Sequence, residues 1–156
     1  MPVPSTRFAA ATGYHTGQTK LVLFGGRNAT FGDQVLGDTW LWSAGAWTQV
    51  SPANSPPARY SAAMGYIATG TKIVLFGGKS PSGVAQIFGD TWTFDGISVW
   101  TQLNPAGANP PARHHASMGV DSTGQLVLFG GYGGPNGDIS LGDTWGFNGT
   151  VWTLLA

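Results

Sequence analysis

Few side chains in this chain are equipped for chemistry. It carries seven Lys or Arg, seven acidic residues that are all Asp, three His and no Cys. Arg7, Arg59 and Arg113, together with Asp38, Asp90 and Asp143, make up six of the fourteen charged side chains and recur in matched contexts along the chain. Recurrence in every unit favours Arg–Asp pairs that organise structure, since guanidinium and carboxylate meet as a two-pronged hydrogen-bonded fork. Substrate contact by a ring of these Arg residues near a central mouth is the lesser reading. His114 and His115 are adjacent, and neighbours on a strand point to opposite faces, so they are not expected to share a metal ion. His15 has no companion in the sequence. Without Cys or Glu to complete a ligand set, neither a metal site nor a cofactor is expected. The carboxylates outside the repeated set are Asp33, Asp95, Asp121 and Asp138. No nucleophile, base and orienting group stand in a recognisable pattern, so catalysis is not expected.

Composition narrows the class further. Formal net charge is zero and the cations are scattered, which gives no electrostatic support to binding nucleic acid or an anionic membrane. Apolar runs are about four residues long, far short of the roughly 20 that span a bilayer. Met1-Pro2-Val3-Pro4 lacks the basic start and apolar stretch of a signal peptide. A cytosolic protein or an excised piece of a longer one is expected, and the compartment is left unassigned. With 25 Gly, ten Pro and no Glu, the chain has turn formers in plenty and little material for exposed helix faces. Seven Trp and eight Phe supply ample apolar surface to bury, so the expectation is a folded all-β chain of short strands.

Those strands come in three repeats. Leu21-Val22-Leu23-Phe24-Gly25-Gly26 returns at residues 73–78 and 126–131. Gly37-Asp38-Thr39-Trp40 returns as Gly89-Asp90-Thr91-Trp92 and Gly142-Asp143-Thr144-Trp145. A Trp-Thr pair closes each unit at Trp47, Trp100 and Trp152, and the spacing of all three anchors is 52 or 53 residues. Each unit reads as four strands. The first starts at the repeated Arg and runs through small residues to Gly13, Gly65 or Gly119. The second is the apolar run, buried on both faces. The third carries Asp-Thr-Trp, and the fourth begins at the second Trp. Asp95-Gly96 and Asn148-Gly149 suit tight turns between the third and fourth strands, and Pro56-Pro57 and Pro110-Pro111 punctuate the passage between units.

An apolar run ending in a double Gly, then an Asp-x-Trp element, then a Trp opening the last strand resembles the kelch repeat, in a form closer to microbial than to animal versions. The resemblance covers residues 4–156. It implies a β-propeller with three four-stranded antiparallel blades, at residues 4–54, 55–107 and 108–156. Trp40, Trp92 and Trp145 take structural positions, and the small residues of the first strand suit the crowded axis. Family members that are enzymes include galactose-oxidase-like propellers, whose copper site needs a Tyr–Cys crosslink absent here, and sialic-acid epimerases, which use acid–base side chains.

Propellers need about four to eight blades, so three do not close a ring. Two copies related by a two-fold axis would make six blades, with blade 3 of each chain on blade 1 of the other. A homodimeric ring with roughly 2,000 Å² or more of buried interface is therefore expected; a nine-bladed trimer is the other closed count. Asp33 and Asp138 are a pair such a dimer could bring together. A piece of a larger propeller, natural or engineered, with no ligand of its own is the alternative.

Function on a repeat scaffold is sought where the copies differ. The connections between second and third strands are read as ten-residue loops, at residues 27–36, 79–88 and 132–141. Arg27, Asn28, Lys79, Ser80 and Tyr132, following the double Gly, are expected to ring one mouth with Phe8, Tyr60 and His114. This arrangement resembles the ligand face that many kelch propellers use for peptides, so a peptide or protein ligand is expected, with a glycan as runner-up because aromatic rings stack on sugars. Phe31, Val35 and Leu36 are expected to pack locally. Asn28-Ala29-Thr30 and Asn148-Gly149-Thr150 match the glycosylation sequon, which is little above chance.

Overall fold

The computed structural model describes residues 2–30, 33–80 and 86–156. Phe31 and part of the second long connection lie outside the described residues. Fifteen strands form the described fold, and among the described residues no helix is long and apolar enough to cross a membrane.

Each repeat folds into one four-stranded antiparallel sheet in simple sequence order. The first contains β1 (Ala11–His15), β2 (Lys20–Asn28), β3 (Gln34–Ser43) and β4 (Ala46–Val50). The second contains β5 (Ala63–Ile67), β6 (Lys72–Phe76), β7 (Thr91–Phe94) and β8 (Trp100–Leu103). The third contains β10 (Ser117–Val120), β11 (Leu126–Phe129), β14 (Thr144–Phe147) and β15 (Trp152–Leu154). A further small sheet joins β9 (Arg113–His114), β12 (Tyr132–Gly133) and β13 (Ile139–Ser140).

The first strands of successive sheets lie side by side, β1 against β5 and β5 against β10. Their small residues permit this approach. A Cβ on Gly13 would sit 3.1 Å from the Met64 side chain, and one on Gly65 would sit 2.7 Å from Leu126. Two cores fill the gaps between sheets. One packs Val22, Phe24 and Leu41 against Met64, Ile73, Leu75 and Trp100; the other packs Val74 and Phe76 against Leu126, Leu128 and Trp152.

Three local expectations are corrected. The first strand begins four residues after the Arg, because Ala9, Ser61 and His115 adopt left-handed φ of 53°, 56° and 57° and interrupt the extended chain. The connections after the double Gly are hairpins more than loops. In the first repeat β2 runs on past a register shift at Phe24/Gly26, pairing Arg27 with Val35 and Asn28 with Gln34, and Val35 and Leu36 are strand residues. The third repeat pairs Tyr132 with Ser140, and the second pairs Lys79 with Ile87. Finally, Asp95 and Asn148 organise wider turns than a two-residue hairpin. Asp95 Oδ1 accepts hydrogen bonds from the amides of Ile97, Ser98 and Val99, and Asn148 Oδ1 from those of Thr150 and Val151. The two-residue turn occurs instead at Ala44-Gly45, both with positive φ.

Candidate functional site: the hairpin rim and the joints between sheets

The repeated Arg and Asp meet inside each unit. Arg59 donates to both Asp90 carboxylate oxygens at 2.5 and 2.8 Å and to Gly77 O at 2.9 Å, and its guanidinium lies 3.8 Å from the Phe88 ring centroid. Arg113 grips Asp143 and Gly130 O in the same way, and Arg7 grips Asp38 and Gly25 O. The indole Nε1 of Trp40, Trp92 and Trp145 donates to the same carboxylate from two residues away. At Asp143 the Arg113 fork outweighs partial burial and brings the carboxyl down to about 2. Burial pulls Asp90 and Asp38 upward, but their Arg and Trp donors prevail and both stay below the usual carboxylate value. These groups are held ionised as structural clamps.

The backbone of the same segment performs a second task. Arg59 N donates to Leu36 O at 3.2 Å and Arg59 O accepts from Gly26 N at 2.9 Å, both in the preceding unit. Arg113 does the same with Phe88 O and Gly78 N, at 3.1 and 2.8 Å. Arg59 and Arg113 thus each fix the side chain in their own unit and the peptide in the previous one. The double Gly makes room: a Cβ on Gly25 or Gly77 would lie 2.4 Å from the carbonyl oxygen of Arg59 or Arg113, and these glycines have φ of 65° and 71°. One residue later the segment pairs with its own unit, Phe8 with Arg27, Tyr60 with Lys79 and His114 with Tyr132. The left-handed residues then join unit to unit, Ser61 N to Ala9 O at 2.8 Å and His115 N to Ser61 O at 2.9 Å.

These pairings, two single bridges and the small β9–β12–β13 sheet, form a rim at the ends of the hairpins that join second and third strands. Phe8 and Tyr132 are exposed, with Arg27, Tyr60 and Lys79 half-buried beside them. The Arg27 guanidinium sits 5.2 Å from the Tyr60 ring centroid and forks onto Asp33. Asp33 is thus already occupied by a cation of its own chain, which raises the Arg27 pKa and lowers that of Asp33. Three residues expected on this rim turn inward. Asn28 is buried, its Oδ1 accepting from Thr30 N; Ser80 is buried on the hairpin; and His114 is buried with Nε2 on Gly137 O.

The two adjacent imidazoles also depart from expectation. Left-handed backbone at His115 breaks strand alternation, so His114 and His115 face each other through their Nδ1 atoms. His115 Nε2 in turn lies 3.0 Å from Ser61 Oγ. Gly137 O can only accept, so His114 donates to it from Nε2. Burial lowers the His114 pKa and keeps that ring neutral. The row resembles a nucleophile–base arrangement, with the amides of Ser61 and His115 both committed to the joints between units. Among the described residues no group of three or more His, Cys, Asp or Glu converges as for a metal. His15 packs at 5.0 Å on Tyr66, with Nε2 3.1 Å from Thr71 O, within the first joint.

A model of the KLHDC2/KLHL20/DRC7 Kelch-repeats domain matches residues 1–155. The chain belongs to the kelch-repeat family. Among kelch relatives, tRNA wybutosine-synthesizing protein 4 of Aspergillus fumigatus is 33% identical over 136 residues, covering 85% of this chain and 12% of that protein. Adagio-like protein 1 of Oryza sativa subsp. japonica is 30% identical over 148 residues, covering 83% of this chain and 22% of that one. The chain therefore spans less than a quarter of either relative. A solved structure of YjhT shares the fold with a TM-score of 0.72 at 16% identity, over 99% of this chain and 46% of that chain. The three four-stranded sheets are kelch blades of a propeller-like fold.

The joints between blades were the part missed by sequence reasoning. Trp100 Nε1 donates to Thr39 Oγ1 and Trp152 Nε1 to Thr91 Oγ1, each at 3.0 Å. Phe24 meets Trp100 and Phe76 meets Trp152 edge to face, each at 5.2 Å. Phe129, the third copy, is 55% exposed, against 1% for Phe24 and Phe76. The repeat alignment carried the signal: the Phe before the double Gly, the Thr after the Asp and the closing Trp recur in all three copies because each blade offers them to a neighbour.

Proposed function

We propose that this kelch chain is a non-enzymatic binding scaffold. Two copies complete a six-bladed ring, and the hairpin rim receives a peptide or protein. One observation carries the binding reading: the three rim pairs share one backbone arrangement but differ in what they set out, Phe8 with Arg27, Tyr60 with Lys79, and Tyr132 alone above an inward-turned His114. A constant frame with variable side chains is how scaffolds encode recognition, and binding residues concentrate on connections held by a rigid core. The match of this chain to 46% of the YjhT chain supports the ring reading, since two copies supply about one such chain. A glycan is the second reading, favoured by the exposed Tyr132 ring stacked 5.8 Å from His114.

Peptide and glycan arrays probed with the chain test this. Ligands retained by the chain and lost in Lys79→Ala and Tyr132→Ala, at unchanged melting temperature, are the expected result. Blank arrays, or hits indifferent to both substitutions, would sink the rim as a recognition surface.

A further inference from the structure

The two end faces of the chain carry the two unmatched halves of one blade joint. On the blade 3 side, Phe129 is exposed where Phe24 and Phe76 are covered by Trp100 and Trp152. Val127 is half-exposed where Val22 and Val74 are fully buried. Thr144 is half-buried and takes no indole, whereas Thr39 and Thr91 each accept one. A Cβ on Gly119 or Gly142 would meet nothing within 4 Å, although Gly65 and Gly89 abut the next blade. Between Gly131 and Leu141, where earlier blades hold an Arg peptide, lies an open cleft of ≈ 310 Å³ bordered by Phe129 and His115.

The blade 1 side shows the reciprocal set. Trp47 is half-buried, leaning on Trp42 at 5.3 Å, where Trp100 and Trp152 are 2% and 4% exposed. Leu21 and Leu23 are half-exposed where Ile73, Leu75, Leu126 and Leu128 are fully buried. The Arg7 side chain is already clamped to Asp38, so its peptide is set out in the attitude that Arg59 and Arg113 use to enter the preceding blade.

We propose that a second copy of this chain seats its blade 1 face on this blade 3 face, and that the seam repeats the internal joints residue for residue. In it Trp47 of one copy covers Phe129 of the other and donates to Thr144 Oγ1. The peptide of Arg7 fills the cleft between Gly131 and Leu141, and Ala9 N–H meets His115 O, continuing the Ala9–Ser61–His115 row. Two such seams close the ring with no leftover face. The inference rests on the reading that two copies complete the propeller and adds which atoms join them.

Sedimentation or light scattering of the full chain across a range of concentrations tests it, alongside Phe129→Asp, Trp47→Phe and the off-seam control Ile97→Asp. Phe129 and Ile97 are both exposed in the single chain, so neither substitution removes a contact that the chain needs to fold; circular dichroism checks this. The expected result is a two-chain mass for the wild type and Ile97→Asp and a one-chain mass for Phe129→Asp. Trp47→Phe should weaken the dimer by roughly tenfold or more, since each of two seams loses a hydrogen bond. A wild type that stays at one chain at every concentration overturns both the seam and the two-copy ring. A two-chain mass untouched by Phe129→Asp and Trp47→Phe overturns the seam and leaves the two-copy ring standing.

Discussion

Phe76 and Phe129 end the same apolar run in neighbouring blades, yet one is sealed under Trp152 and the other faces outward. The clamps do not differ in this way. Arg59–Asp90 and Arg113–Asp143 keep matching geometry, including the carbonyl bond and the indole donor. Whatever is made within a blade is complete in blade 3, and whatever is made between blades is half-made there. The kelch pattern thus merges two kinds of residue, those that finish a blade and those that offer it to the next.

The widest separation should come from the two Phe residues. Phe76→Ala should cost about 3–5 kcal/mol of stability, the usual result of emptying an aromatic site in a core. Phe129→Ala should cost under about 1 kcal/mol at dilutions where the chain is single, because it removes no buried contact. Urea denaturation of both at low concentration checks this, and equal losses would erase the distinction. A finer cut is Trp152→Phe against Trp47→Phe. The first loses the bond to Thr91 and should cost about 1 kcal/mol, while the second should be near neutral in the single chain.

The smallest effect concerns the clamps, which should ignore the difference between blades. Asp143 sits at about 2 in the folded chain against an ordinary 3.8. Its stabilisation is therefore full above pH 3.8 and lost as pH falls through about 2. Denaturation midpoints measured from pH 5 to pH 2 should decline, and Asp143→Asn should flatten the decline in that window. A slope unchanged by the substitution would remove Asp143 from the acid response.

Much of this fold could be read before any coordinates. Three anchors in register reveal the four-stranded units, and recurrence alone identifies the Arg–Asp clamps, because a catalytic pair has no reason to appear three times. The rim was legible only in part. Lys79 and Tyr132 are found by counting past the double Gly, and Phe8 and Tyr60 by counting past the repeated Arg, but the inward turn of Asn28, Ser80 and His114 depends on hairpin register that no residue type announces. The meeting of His114 with His115 was hidden for a related reason. Left-handed backbone falls on Ala, Ser and His at that position, none of them a glycine that would flag it. Tertiary hydrogen bonds from blade to blade impose that conformation, and local sequence is silent about them.

The peptide at Arg59 and Arg113 belongs to two blades at once. Melting of one blade would therefore unpin the glycine bulge of the blade before it, so loss of order should spread along the chain as nearest-neighbour coupling. In a ring every blade has a neighbour on each side, and fraying has no free end at which to start. Resistance to unfolding then becomes a property of protein concentration as well as of sequence.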